Sequence, residues 1–193
     1  MAQARYIVAV LLLATVPISL GLWFAIHPFA RSWRRIGPAW TYAILAAPCL
    51  LVGWILWHAR RTLLGPDLGT RPGLLVLAIA AAIVGLAISR ARRRRLGQLT
   101  LMGIPELSSR QKGRLATEGI YSRIRNPRYL EFLAFVLAYA AFANYMGTWV
   151  LFGLCFPVIH GIVLMEEREL RDRFRAEYEE YCRQVPRYLP RRR

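Results

Sequence analysis

FLAFVLAYAAFANYMGTWVLFGLCFPVIHGIVLM, residues 132–165, runs for 34 positions without a formal charge. At about 1.5 Å per residue one helix of that length would reach about 50 Å, well beyond the roughly 30 Å hydrocarbon core of a bilayer. The run breaks at Asn144-Tyr145-Met146-Gly147, a polar and flexible point. It therefore predicts a tight hairpin of two shortish spans, 129–145 and 147–165. Upstream, Tyr6–Ala30, Pro38–Ala59 and Pro72–Ser89 are also uncharged and predict spans over 6–30, 38–59 and 72–89. The expected fold is all-α and integral to the membrane: five transmembrane helices in a single domain, 1–193. A cytoplasmic loop, 90–128, and a cytoplasmic helical tail, 166–193, would carry the soluble chemistry. The first run is longer than the apolar segment of a signal peptide and only Arg5 precedes it, so it reads as a span.

The charges agree with this layout. The 193 residues are 56% hydrophobic with mean hydropathy +0.31, yet carry a net charge of +16. A soluble domain is nearer 45–50% apolar. With the N-terminus outside, the external segments hold four basic residues (Arg5, Arg60, Arg61, Arg71), and the other 23 lie in internal segments. An odd number of spans with a cytoplasmic C-terminus satisfies the positive-inside rule; an even number does not. Basic residues are almost all arginine, 26 to one lysine, which reads as codon bias. The run Arg90–Arg95 reads as a topology and anionic-lipid anchor. It lacks the interleaved aromatics and folded scaffold of a nucleic-acid site, so no nucleic-acid partner is expected. Cys49, Cys155 and Cys182 are far apart, and His27, His58 and His160 match no ligand spacing, so no metal site is expected. His160, inside the last span, reads as a neutral imidazole bonded to a neighbouring helix. Gly-rich nucleotide signatures are absent, which excludes a soluble Rossmann-type enzyme.

Two segments invite a chemical reading. Glu166-Glu167 follows seventeen uncharged residues from Trp149, where low dielectric favours a cationic partner. Leu170, Phe174, Tyr178 and Tyr181 then form an apolar stripe that would lay the tail back against the bundle or in the membrane interface, and with the acidic pair it reads as a lid over a pocket. As a solvated helix start, the same pair would match Glu167 with Arg171 and Arg168 with Asp172. The second segment is Gly119–Tyr129, just before the fourth span. Pro127 suits a first helical turn, Asn126 can cap it, and the helix N-terminus is a ready anion site.

Gly113-Arg114-Leu115-Ala116-Thr117-Glu118-Gly119-Ile120-Tyr121, followed by Arg125-Asn126-Pro127-Arg128-Tyr129, resembles a signature of the isoprenylcysteine carboxyl methyltransferases and related phospholipid methyltransferase-like membrane enzymes. Glu166-Glu167, Leu170, Phe174, Tyr178, Tyr181 and the ending Val185-Pro186-Arg187-Tyr188-Leu189-Pro190 are similar to that family's tail. The match spans roughly the last ninety residues, more loosely including Leu96-Gly97. The resemblance implies methyl transfer from S-adenosylmethionine to a lipophilic or lipidated acceptor that enters from the bilayer. It places cofactor contacts on Gly113, Leu115, Ala116, Tyr121, Asn126, Pro127, Tyr129 and Glu166, with Glu167 completing the acidic pair. Glu166 would hold the cofactor by its amino group or ribose hydroxyls. Asn126 and the N–H groups near Pro127 would receive its carboxylate, supported by Arg125, and no residue stands out as general base. Asn126 replaces the histidine of the family's R-H-P. Ile162 stands where the isoprenylcysteine enzymes carry a substrate-binding arginine, which leaves the acceptor open among lipid-like carboxylates, amines and thiols. A bacterial inner membrane is the expected location. Alternative readings are an NADPH-dependent membrane reductase of sterol-reductase type and a non-enzymatic lipid-binding membrane protein.

Overall fold

The structure, a computed structural model, describes residues 1–94 and 115–190. Gly113 and Leu96-Gly97 lie outside the described residues. The α-helices are α1 (Ala2–Ile26), α2 (Ala30–Ile36), α3 (Pro38–Leu64), α4 (Pro72–Arg93), α5 (Pro127–Ala143), α6 (Met146–Phe174) and α7 (Ala176–Gln184). A short 3₁₀ turn, Gly119–Ser122, precedes α5. Among the described residues there is no β-strand; an isolated bridge joins Asp67 to Tyr145.

Four helices, α1, α3, α4 and α6, are long and apolar enough to cross a membrane. The hairpin expected over 129–165 forms, but its first helix, α5, has 17 residues and is about 25 Å long. Proline opens α3, α4 and α5, where its missing N–H has no intrahelical partner to lose. The second arm of the hairpin does not stop at Met165. Helix α6 continues through Glu166-Glu167 to Phe174, supported by the i,i+4 pair Arg171–Glu167 at 3.7 Å. Arg175, at φ 48, then turns the chain into α7.

The core is built by α1, α5 and α6, through Leu12, Val16 and Leu20 against Tyr129, Val136 and Ala140 and against Cys155, Ile159, Ile162 and Val163. Helix α4 lies along α5 through a face of small residues, Ala78, Ala81, Gly85 and Ser89. Most of α3 is exposed, and only Thr41, Leu45 and Leu64 are buried.

Polar clusters tie the bundle at both ends. At one end buried Arg5 of α1 donates from Nε to the carbonyl of Ala143 (3.0 Å) and pairs with Asp67 between α3 and α4. The Asn144 turn is tied in there by its side chain. Its Nδ2 donates to the Gly69 carbonyl (2.8 Å), and its Oδ1 accepts from Trp149 Nε1 (3.0 Å). At the other end His27 of α1 meets Glu169 of α6 at 3.4 Å, and Arg92 of α4 meets Glu131 of α5 at 2.7 Å. Helix α5 thus runs from one polar end of the bundle to the other.

Candidate functional site

The second polar end gathers the loop before α5, the end of α6 and the tail. Glu167 is its hub and is fully buried. Arg187 donates to both its carboxylate oxygens, from Nε at 3.0 Å and Nη2 at 2.8 Å. Arg125 approaches Oε1 at 3.4 Å, and Asn126 Nδ2 donates to the same oxygen at 3.4 Å. A bidentate guanidinium–carboxylate contact is among the stronger polar contacts a protein makes. The hydrogen bonds from Glu167 hold the Arg187 guanidinium above its ordinary pKa. The backbone reinforces the clamp. The N–H groups of Arg125 and Asn126 donate to the carbonyls of Pro186 (2.9 Å) and Arg187 (3.3 Å).

Asn126 occupies the N-cap position of α5, but its side chain makes no cap bond. It points instead to Glu167 and to the Arg187 carbonyl (3.3 Å). The first backbone N–H groups of α5 receive no cap bond from the Asn126 side chain. Beside them, Arg125 Nε is buried with no hydrogen-bond partner among the described residues.

Glu166 differs from its neighbour. It is half-buried, and its Oε2 accepts a hydrogen bond from Tyr129, whose ring is buried in the core. Tyr121, half-buried, presents its backbone carbonyl to the hydroxyl of Tyr181 at 2.6 Å, and burial pushes its own hydroxyl up to about 12. Burial likewise raises Tyr178 and Tyr181, which keeps all three phenols neutral as donors. The apolar stripe acts as its spacing implies: Leu115, Tyr178, Tyr181 and Val185 form one buried cluster, with Leu170 and Phe174 packed on it. The stripe holds its face across the break at Arg175 and carries the tail back onto the loop.

Of the residues singled out from sequence, Arg125, Asn126 and Glu167 meet directly, as do Tyr129 and Glu166. Leu115 and Tyr121 join through the tail, buried Pro127 opens α5, and half-buried Ala116 follows Leu115. Ile162 is fully buried in the apolar core one turn before Glu166, so no charge stands there.

A family model, phospholipid methyltransferase, matches residues 74–177. The chain belongs to the phospholipid methyltransferase family. No curated protein and no solved structure matches it. The family's region takes in α4, the loop, α5, α6 and the start of α7, which includes the hub carboxylate but not the arginine that grips it.

Sequence reading gave Arg187 no role, because its partner lies twenty residues away across a turn and a second helix. It also set Arg92 within a lipid anchor. Arg92 instead continues the buried face Ala78, Ala81, Gly85, Ser89 at helical spacing and turns inward to Glu131, a periodicity that could have been read. His160 pairs with Tyr188 of the tail at 3.0 Å rather than with a neighbouring span.

Proposed function

We propose that this membrane methyltransferase uses S-adenosylmethionine and methylates a lipophilic acceptor at the membrane face, with a layout like that of the isoprenylcysteine carboxyl methyltransferases. The observation that supports the reading is the buried Arg125 Nε, which has no hydrogen-bond partner among the described residues and lies just before the N-terminus of α5. Unsatisfied buried donors are costly, and a carboxylate is the group they suit. Arg125 and the first N–H groups of α5 would hold the methionyl carboxylate, while Asn126 keeps the turn in place. The half-buried Glu166, oriented by Tyr129, would accept from the amino group or ribose hydroxyls. Glu167 is spent on Arg187, Arg125 and Asn126, so its part is to hold the loop and tail together around the site. Gly113, Leu115, Ala116, Tyr121 and Pro127 complete the proposed cofactor contacts. When bound, the cofactor supplies a methyl group on a sulfonium leaving group. The protein's share is then alignment and exclusion of water. No residue at this end needs to act as general base for an acceptor that arrives ionised.

In this reading α5 is the fifth span. Its two ends lie at the two polar ends of the bundle, and the positive-inside rule supports an N-terminus outside with the loop and tail in the cytoplasm. Isothermal titration of the detergent-solubilised protein with S-adenosylhomocysteine tests the cofactor assignment. Saturable binding, lost in Glu166→Ala, is expected. Absence of binding by folded wild-type protein would overturn it.

A further inference from the structure

The carboxylate of Glu167 is approached by more donors than it holds at full strength. Arg187 takes both oxygens through its Nε and Nη2, at 3.0 and 2.8 Å. The shorter of these is an ordinary charge-assisted length. The other donors stand further off. Arg125 reaches Oε1 with Nη2 at 3.4 Å, Asn126 Nδ2 shares that oxygen at 3.4 Å, and Arg171 lies 3.7 Å from Oε2 at the exposed edge. Arg125 and Arg187 thus bring two positive charges to one buried anion. A buried charge in surplus is costly unless a further partner joins it.

The surplus falls on Arg125. Its Nε is buried with no hydrogen-bond partner among the described residues. Nε with Nη2 is also the edge by which Arg187 grips Glu167. The two arginines therefore compete for one bidentate seat, and Arg187 holds it. With that seat vacated, the Arg125 guanidinium would close on Glu167 by the same fork, and its Nε would be consumed.

Arg187 keeps the seat because its backbone is fixed on both sides without help from Glu167. The Pro186 carbonyl accepts from the Arg125 N–H at 2.9 Å, and the Arg187 carbonyl accepts from the Asn126 N–H and Nδ2, each at 3.3 Å. Tyr188 then packs on the core of α1, α5 and α6, and its hydroxyl meets His160 Nδ1 at 3.0 Å. His160 and Glu167 are seven positions apart on α6 and share one of its faces. Successive tail residues are therefore seated at two levels of the same helix.

We propose that Arg187 is a positioning residue for the cofactor: by saturating Glu167 it leaves the Nε edge of Arg125 to the methionyl carboxylate. The assignment rests on the methyltransferase reading above and adds a source of selectivity to it. The site should discriminate against an adenosyl thioether that carries the amino group but no carboxylate. That discrimination should depend on a residue that touches neither ligand.

The test is isothermal titration of the detergent-solubilised full chain with S-adenosylhomocysteine and with its decarboxylated analogue, 5′-deoxy-5′-(3-aminopropylthio)adenosine. Wild type should prefer S-adenosylhomocysteine roughly thirtyfold, as bonds to a charged group allow. In Arg187→Gln that preference should fall about fivefold or more, through weaker S-adenosylhomocysteine binding, while affinity for the analogue changes less than about twofold. A tail that is merely loosened would weaken both ligands alike and leave the preference intact. Arg187→Lys keeps the charge, and with it the tail, but offers Glu167 a point contact in place of a fork. The preference should fall there too, which loss of positive charge alone would not produce. An unchanged preference in either variant overturns the positioning role, while saturable S-adenosylhomocysteine binding by wild type keeps the cofactor reading. Equal binding of both ligands by wild type overturns the carboxylate seat at Arg125 and the proposal with it. Absence of any S-adenosylhomocysteine binding by folded wild type overturns the proposal and the methyltransferase reading together.

Discussion

Deleting the Glu167 carboxylate should undo the clamp that joins loop, bundle and tail. In Glu167→Ala, the guanidinium groups of Arg125 (9% exposed) and Arg187 (32% exposed) lose their shared anion, and Asn126 loses an acceptor. Removing one partner of a buried ion pair costs roughly 3–5 kcal/mol. Arg187 is open enough to swing toward water, so the lower figure, about 3 kcal/mol, is the better expectation. For a chain of 193 residues each kcal/mol moves Tm by about 2–4 °C, which gives a fall of roughly 6–12 °C. Intrinsic-fluorescence melts of the detergent-solubilised protein would measure it. Trypsin cleavage at Arg183 and Arg187 should accelerate in parallel, because the tail loses its anchor. A double-mutant cycle with Glu167→Gln and Arg187→Gln should return a coupling of roughly 0.5–3 kcal/mol. A wild-type Tm in Glu167→Ala, with no change in tail proteolysis, would show that the buried contacts do not hold the tail.

Three further outcomes follow from the geometry. A Cβ on Gly147 would lie 2.0 Å from the Leu63 carbonyl oxygen, so Gly147→Ala must push α6 from the end of α3. A loss of about 1–3 kcal/mol is expected, read as a lower Tm. Tyr129→Phe removes the donor to Glu166, a bond to a charged group worth roughly 1.5–3 kcal/mol. It should weaken S-adenosylhomocysteine binding at least tenfold in calorimetry while the protein remains folded. Asp67, between α3 and α4, is held below its ordinary value of 3.8, first by the Gly69 N–H and then by Arg5. Because its folded pKa is depressed, its stabilisation is complete above about pH 4 and is lost as pH falls through the folded value. The Tm gap between wild type and Asp67→Asn should therefore close on acidification below that pH, as followed by melts from pH 6 to pH 2.

Much of the architecture was legible because it rests on local signals. Long uncharged runs marked α1, α3 and α4, and Pro127 marked the start of α5 to the residue. The stripe Leu170, Phe174, Tyr178, Tyr181 gave the packing of the tail, since helical spacing survives the turn at Arg175. What sequence could not give was the choice between near-identical neighbours. Glu166 and Glu167 are adjacent and chemically equal, yet successive helix positions point about 100° apart. One meets Tyr129 and the other is enclosed by arginines. The extent of α6 was also misjudged. Charge ends the apolar run at Met165, but a helix needs no apolar residues to continue once its i,i+4 pairs are in place. The partner of Arg92 was equally hidden, because Glu131 lies on another helix and only tertiary contacts bring the two together.

The node around Arg5 also sets a clock on biosynthesis. Its guanidinium, 3% exposed in the finished protein, bonds to the carbonyl of Ala143, 138 residues further along the chain. At about 5–20 residues per second, a ribosome needs roughly 7–28 s to deliver that acceptor after Arg5 has been made. Asp67, 62 residues after Arg5, supplies its charge partner earlier, so late in that interval the Arg5 Nε lacks only its carbonyl acceptor. A nascent chain halted before α5 holds the Asp67 partner but never gains the Ala143 carbonyl, so the first helix keeps a guanidinium nitrogen without its native acceptor.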